Sequence, residues 1–378
     1  SKDFFTAGYY VDPLTKYVDY HRKAATPSVV KDEVIATVYP PVPGQDGRNI
    51  FGAVLAAVKP QPINFRAGKH VIFDEAAGVF KADCNGRVKL NGGLIEVLDV
   101  YKIQGDIGPE SGNIEHAGSL IISGGVLSEF KLSAQGDIEI GETIGSAEVD
   151  CGGNLTVHNG ISSAPNKKIT VKGNLHTKYL EHATVSAEGD VVVESEILDS
   201  HIRTTGKVVC PGRVRGGEII ATGGILIGEV GSHTESRTVL TTGINYLVAN
   251  AFREAVEKSK VLAVTIGKLE RELKKLEMMG KSINHKQREA LTEIGFKLFE
   301  AREQDEQLTV ERKNLAVQLQ ANRSATITIE KQVNPGTVLR VLDSQLEVQD
   351  ALLGPIVATL DTVTRKLTLT STDVAKKE

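Results

Sequence analysis

The chain has 378 residues, 40% hydrophobic and 24% charged, the composition of a folded globular protein of one large or two to three ordinary domains. Its 44 basic and 48 acidic residues leave a net charge of −4, which gives no global field for nucleic acid or anionic membrane. No run nears the roughly 18 apolar residues of a membrane span, and three cysteines with no CxxC unit, Cys84, Cys151 and Cys210, exclude a complete disulfide framework and point to a reducing compartment.

The opening residues Ser1-Lys2-Asp3-Phe4-Phe5 lack the apolar core of an export signal, so the expected location is the cytoplasm. Residues 1–100 are expected to form a β-rich module. Strand patterns stand at Val34-Ile35-Ala36-Thr37-Val38, Val54-Leu55, Val71-Ile72-Phe73 and Val88-Lys89-Leu90, with stiff Pro40-Pro41-Val42-Pro43-Gly44 between the first two. Such a module suits the role of a cap, because an open sheet end exposes unpaired backbone.

Residues 101–244 carry a repeat. Gly118, Gly136, Gly153, Gly173, Gly189, Gly206 and Gly223 recur at a mean spacing of about 17.5 residues, most of them followed by Ser, Asp, Asn or Lys. Four residues before each glycine stand Ile114, Leu132, Val149, Ile169, Val185, Ile202 and Ile219. Two after stand Leu120, Ile138, Leu155, Leu175, Val191, Val208 and Ile225; four after stand Ile122, Ile140, Val157, Thr177, Val193, Cys210 and Ile227. A smaller column, His116, Ala134, Cys151, Val171, Ala187, Thr204 and Ala221, lies two before.

Period-two runs on both sides of a recurring corner read as strands stacked coil on coil, each column becoming an aliphatic ladder. The fold expected is mainly β: a right-handed parallel β-helix of about 17 residues per rung, with a left-handed hexapeptide helix disfavoured by the lack of a six-residue aliphatic rhythm. The glycine is expected to supply a positive-φ corner. Asp or Asn after it is expected to bond the turn backbone.

Residues 245–322 switch to helical spacing. Leu262, Ile266, Leu269, Leu273 and Leu276 alternate by four and three; after Gly280-Lys281-Ser282 the seam resumes at Leu291, Ile294, Leu298, Ala301, Leu308, Leu315 and Leu319. This predicts an inserted antiparallel α-helical hairpin of coiled-coil type, about 50 Å long at 1.5 Å per residue. Asp305 and Arg312 fall on the seam, a locally weak pairing or a place for a partner helix to enter. Residues 323–378 return to strand patterns at Ile327, Ile329, Val338, Val341, Leu346, Val348, Ile356-Val357 and Leu367-Leu369, expected to rejoin the solenoid and close it.

Several runs resemble a known family. They are Pro43-Gly44-Gln45-Asp46-Gly47-Arg48-Asn49-Ile50-Phe51-Gly52, Ser111-Gly112-Asn113-Ile114 through Gly124, Ile197-Leu198-Asp199-Ser200, and Gly212-Arg213-Val214-Arg215-Gly216-Gly217. In this order, from about Thr26 to the end, they resemble the bacterial flagellar assembly protein A family, with His116 departing from the pattern. The resemblance implies a right-handed β-helix without assigned catalysis and no cofactor. It also implies partners among flagellar or pole-organising proteins, with a sugar-phosphotransferase regulatory component as one of them, and location at the flagellated pole.

Read on chemistry alone, the chain offers few sites. Asp137, Glu139, Asp190, Glu194, Glu196 and Asp199 are the acids a carbohydrate-active β-helix would use, yet outward strand positions are polar by default. His158, His176, His182, His201 and His233 show no metal-ligand spacing. Cys151 and Cys210 fall in inward columns as inert thiols, and His116 is expected to satisfy a hydrogen bond near the cap. The candidate partner surfaces are the basic rim Arg203, Lys207, Arg213 and Arg215, and the hairpin at Leu262, Ile266, Leu269, Leu273, Leu298 and Leu308. The expected function is a non-enzymatic scaffold or motility regulator of flagellar assembly; the alternatives are a self-assembling cytoskeletal or polar-landmark protein and a carbohydrate-active enzyme.

Overall fold

The computed structural model describes residues 9–23, 28–39, 41–57, 59, 65–232, 237–278, 285–319, 325–361, 364 and 366–371. His233 and the break at Gly280-Lys281-Ser282 lie outside the described residues. Two compact units divide the chain, Ser1–His201 and Ile202–Glu378.

The first unit opens with a hairpin, Tyr9–Val11 against Val18–Lys23, that the strand patterns did not foreshadow. A four-stranded sheet follows, ordered Ser28–Val29, Gly86–Asn91, Leu94–Leu98, Arg66–Ala67, beside a three-stranded sheet of Val34–Thr37, Val79–Ala82 and Val71–Asp74. Alternation along these strands buries Val29, Val71, Phe80, Ala82, Val88, Ile95 and Val97 in one small core. Contacts at Ala117 and Tyr101 tie this module to the first coil. The Ala117 N–H donates to Ser28 Oγ at 2.6 Å, and the Arg87 guanidinium sits 4.0 Å over the Tyr101 ring.

Parallel coils then stack from Val100 onward. On the side before the corner glycine, Ile114, Leu132, Val149, Ile169 and Val185 pair in register. On the side after it, Leu120, Ile138, Leu155, Leu175 and Val191 do the same. A third side appears that the column reading missed: Ile107, Val126, Ile144, Ile161, Leu180 and Ile197 bridge coil to coil, and all are buried. Three aliphatic ladders therefore face one another across a narrow tube.

The corner glycines overturn one expectation. None of Gly118, Gly136, Gly153, Gly173 or Gly189 has positive φ. What excludes a side chain there is the coil below: a Cβ on Gly173 would lie 2.7 Å from Gly153 O and 2.6 Å from Asn154 Oδ1. The following residue bonds the next coil and not its own turn. Asn154 N–H donates to Asp137 Oδ1 at 2.7 Å, Asn174 N–H to Asn154 Oδ1 at 2.9 Å, and Asp190 N–H to Asn174 Oδ1 at 2.8 Å. A ladder of amide and carboxylate side chains thus satisfies one backbone donor per coil at the corner.

His116 sits in the first coil, 3% exposed. The Asp99 backbone meets its ring, but Nε2 is buried without a partner, so the expected hydrogen bond is only half supplied. Burial, with the nearby Arg87 charge, pushes its pKa from 6.5 down to about 4. The unfolded chain therefore binds a proton on this ring at higher pH than the folded chain does. Stability is full above 6.5 and falls as pH drops toward 4. Between pH 8 and pH 5 this group costs about 1–2 kcal/mol. Urea midpoints of the parent and His116→Gln, compared at both pH values, check this: the parent loses more stability than the variant on acidification.

The second unit continues the coil plan. Val208 pairs with Ile225 and Cys210 with Ile227, Ile219 with Leu240, and Val214 with Val230 on the third side. After Thr238–Thr242 the chain leaves for two helices and returns. Ile327 and Ile329 then pair in parallel with Ile225 and Ile227, and Leu339 with Leu240. The helical insertion therefore splits the last coil. That coil ends parallel stacking: Ser344–Glu347 runs antiparallel to Thr337–Val341, and Ile356–Leu360 antiparallel to Ile327–Val333. Covering both strands with reversed neighbours leaves no parallel template for a further coil.

Candidate protein-interaction site

The exit into the hairpin is built from two residues. Gly243 takes φ +86, a left-handed turn that glycine adopts without Cβ strain. Asn245 then caps the first helix: its Oδ1 accepts Leu247 N–H at 3.1 Å and Val248 N–H at 3.3 Å. Helix α1 runs Tyr246–Met278 and α2 runs His285–Leu319, each about 50 Å long at 1.5 Å rise per residue.

The predicted seam lies between them. Leu262, Ile266, Leu269 and Leu273 of α1 are half-buried, as is Leu308 of α2, while Leu298 is buried. The two helices pack against each other, and these positions are the ones at which the sequence placed their apolar seam. Arg302 Nη2 bridges to Glu270 Oε1 at 2.6 Å across the pair. Mid-seam, Ser259 Oγ lies 3.3 Å from Asp305 Oδ1 and accepts from Arg312 Nη1 at 3.3 Å. Arg312 Nε is buried there without a partner. A polar layer of this kind fixes helix register at a cost in stability.

What the hairpin offers to solvent is a different set. Val261 and Val264 on α1, and Phe296, Phe299, Val310 and Val317 on α2, are exposed. Thr292, Gly295, Phe296 and Phe299 line one shallow apolar cleft. Sequence reasoning missed these because it followed the heptad seam. The signal was present nonetheless: two of only ten phenylalanines stand three apart and off that seam.

The basic rim is largely charge-compensated. Arg213 Nε lies 3.2 Å from Glu229 Oε2 on the next coil, and Arg203 Nη2 lies 4.0 Å from Glu218 Oε2. The two arginines are thus held by separate acids. Lys207 is exposed and Arg215 half-buried on the same strand.

The acids that an enzyme would need are spread along the coils. Asp137 belongs to the corner ladder. Glu139 pairs with His158 at 2.8 Å, and Glu194 with His176 at 3.4 Å, in both cases between coils on an exposed face. Among the described residues no group of three or more His, Cys, Asp or Glu is placed to hold a metal. Cys151 and Cys210 are both fully buried, and burial pushes the Cys151 thiol up to about 11, which keeps it protonated. No described helix is long and apolar enough to cross a membrane.

Comparison with known families gives two matches. The model of the flagellar assembly protein A β-solenoid domain matches residues 99–363, a span containing the coils and the hairpin alike. The model of the flagellar assembly protein A N-terminal region matches residues 12–93, starting earlier than the resemblance, which runs from about Thr26. No curated protein and no solved structure matches. With its solenoid and its N-terminal module both matched, the chain belongs to the flagellar assembly protein A family and so has a role in flagellar assembly.

Proposed function

We propose that the chain is a non-enzymatic cytoplasmic scaffold that recruits proteins to flagellar assembly, with the helical hairpin as its recruiting arm. The observation that carries this reading is the pair of exposed phenylalanines, Phe296 and Phe299, on a helix whose seam is already filled. Large apolar side chains clustered on a soluble surface are what protein interfaces use. The base of the hairpin supports the same reading, because the coil that carries it is stitched in parallel on both sides of the insertion. The chemistry expected of the partners is a helix or groove with an apolar face, in flagellar or pole-organising proteins or in a sugar-phosphotransferase regulatory component. The pairing of Glu139 and Glu194 with histidines, and of Asp137 with Asn154, supports the non-enzymatic half of the proposal.

The test is affinity capture from a flagellated bacterium with two baits. One is the intact chain; the other has residues 246–319 replaced by a short Gly-Ser turn. The hairpin reading expects flagellar or pole-organising proteins with the intact bait alone. Equal recovery with both baits assigns binding to the coils or the N-terminal module.

A further inference from the structure

The motif at 43–52 is absorbed neither by the coils nor by the hairpin. It forms a two-stranded arm, Gly47–Arg48 against Val54–Leu55, closed by a tightly bonded turn. Asn49 N–H donates to Ala53 O at 3.0 Å, Asn49 Oδ1 accepts Phe51 N–H at 3.0 Å and Ala53 N–H at 2.9 Å, and Gly52 takes φ +81. Every residue from 41 to 56 is exposed, including Val42 at 86%, Ile50 at 93% and Phe51 at 87%. Among the described residues neither outer edge of this arm has a strand partner. An isolated two-stranded hairpin is marginal in water, and this one also displays apolar side chains that stay exposed among the described residues.

Three features identify what covers it. The first is charge: residues 41–57 contain one acid, Asp46, and one base, Arg48, and no other ionisable side chain. An arm with a single cation lacks the Lys/Arg cluster that anionic lipid or nucleic acid requires. The second is parity. Asn49 turns its backbone inward to Ala53, so Gly47 also faces inward, while Asp46 and Arg48 present their backbone groups to the free edge. Two such edges laid antiparallel about a twofold axis at Gly47 set Asp46 opposite the partner's Arg48, and Arg48 opposite the partner's Asp46. Directly opposed unlike charges are the favourable cross-strand pair. The third is the glycine on that axis. A Cβ at Gly47 would meet only Leu55, at an ordinary 3.9 Å, and its φ is not positive, so nothing in its own chain demands glycine. Close approach of a second backbone does.

We propose that two copies of this chain pair edge to edge through the 41–57 arm, forming a four-stranded sheet with Gly47 on the twofold axis and two Asp46–Arg48 ion pairs across it. The interface is isologous, and its small size makes the dimer concentration-dependent, with association in the micromolar range, about 10⁻⁶–10⁻⁵ M.

The test is sedimentation equilibrium of the full chain from about 1 to 100 μM. The parent dimerises across this range. Arg48→Glu sets acid against acid and Asp46→Lys sets base against base, so each alone shifts the dimerisation midpoint up by about tenfold or more. An equimolar mixture of the two variants restores parental dimerisation, since each then meets its complement. Restoration also shows that neither variant has simply lost the arm. A parent that stays monomeric at the highest concentration, dimers indifferent to Arg48→Glu, or a mixture no better than either variant alone would each overturn the proposal.

Discussion

Gly173→Ala lowers the stability of the solenoid by about 3 kcal/mol, although it adds one methyl group at a corner where the backbone angle is open to any residue. The added Cβ lies 2.7 Å from Gly153 O and 2.8 Å from Gly153 C. The atoms it meets include backbone, held by the Gly173 N–H to Gly153 O bond at 2.9 Å, so no flexible side chain can swing aside. The coil must shift upward, which stretches that bond and the neighbouring Asn174–Asn154 bond of 2.9 Å. Coils contact chiefly their neighbours, so a local shift is felt along the stack. Gly267→Ala is the matched control. A Cβ there meets nothing within 4 Å, and alanine in a helix interior gains about 0.5–1 kcal/mol. Urea unfolding of both variants, followed by circular dichroism in the β region, distinguishes stacking from backbone angle as the reason for the corner glycine. An effect at Gly173 no larger than that at Gly267 would contradict close coil stacking as the reason for the corner glycine.

Ile161→Ala costs more, about 3–4 kcal/mol. Ile161 is fully buried and stands between Ile144 below and Leu180 above on the third side. Removing its outer carbons opens a cavity between two ladders whose backbones are fixed by parallel hydrogen bonds, so the walls cannot close on it. The same unfolding measurement checks it. A loss below about 1 kcal/mol would mean that the third side is soft, contrary to rigid three-sided packing.

That third side also shows why part of the fold was unreadable. The columns next to the glycine keep fixed offsets, so alignment on the corner found them at once. Val126, Ile144, Ile161, Ile197 and Val214 stand eight residues beyond their glycines, but Leu180 and Val230 stand seven beyond. The register shifts between Val157 and Gly160, and between Thr177 and Tyr179, come just before this side. Such irregularities at a corner slide the ladder by one residue and blur a column that is nonetheless aliphatic in every coil.

The hairpin was legible because seam positions obey a strict rhythm, with Leu298 and Ala301 buried where the rhythm placed them. The surface was not legible by the same rule. Burial leaves a periodic trace in sequence, whereas Phe296 and Phe299 are marked only by falling outside it. The acids that face the rim, Glu218 at Arg203 and Glu229 at Arg213, reach the arginines through coil stacking.

The measurement that bears most directly on the recruiting role is flagellation itself. In a flagellated bacterium lacking its own copy of this protein, flagella per cell are counted by electron microscopy after return of the intact chain or the chain without 246–319, at matched protein levels. Intact chain restoring flagella, with the hairpin-less chain folded yet leaving cells bare, is the predicted result. Equal restoration by both would contradict the account, because flagellar assembly would then need the coils and the N-terminal module but not the helices.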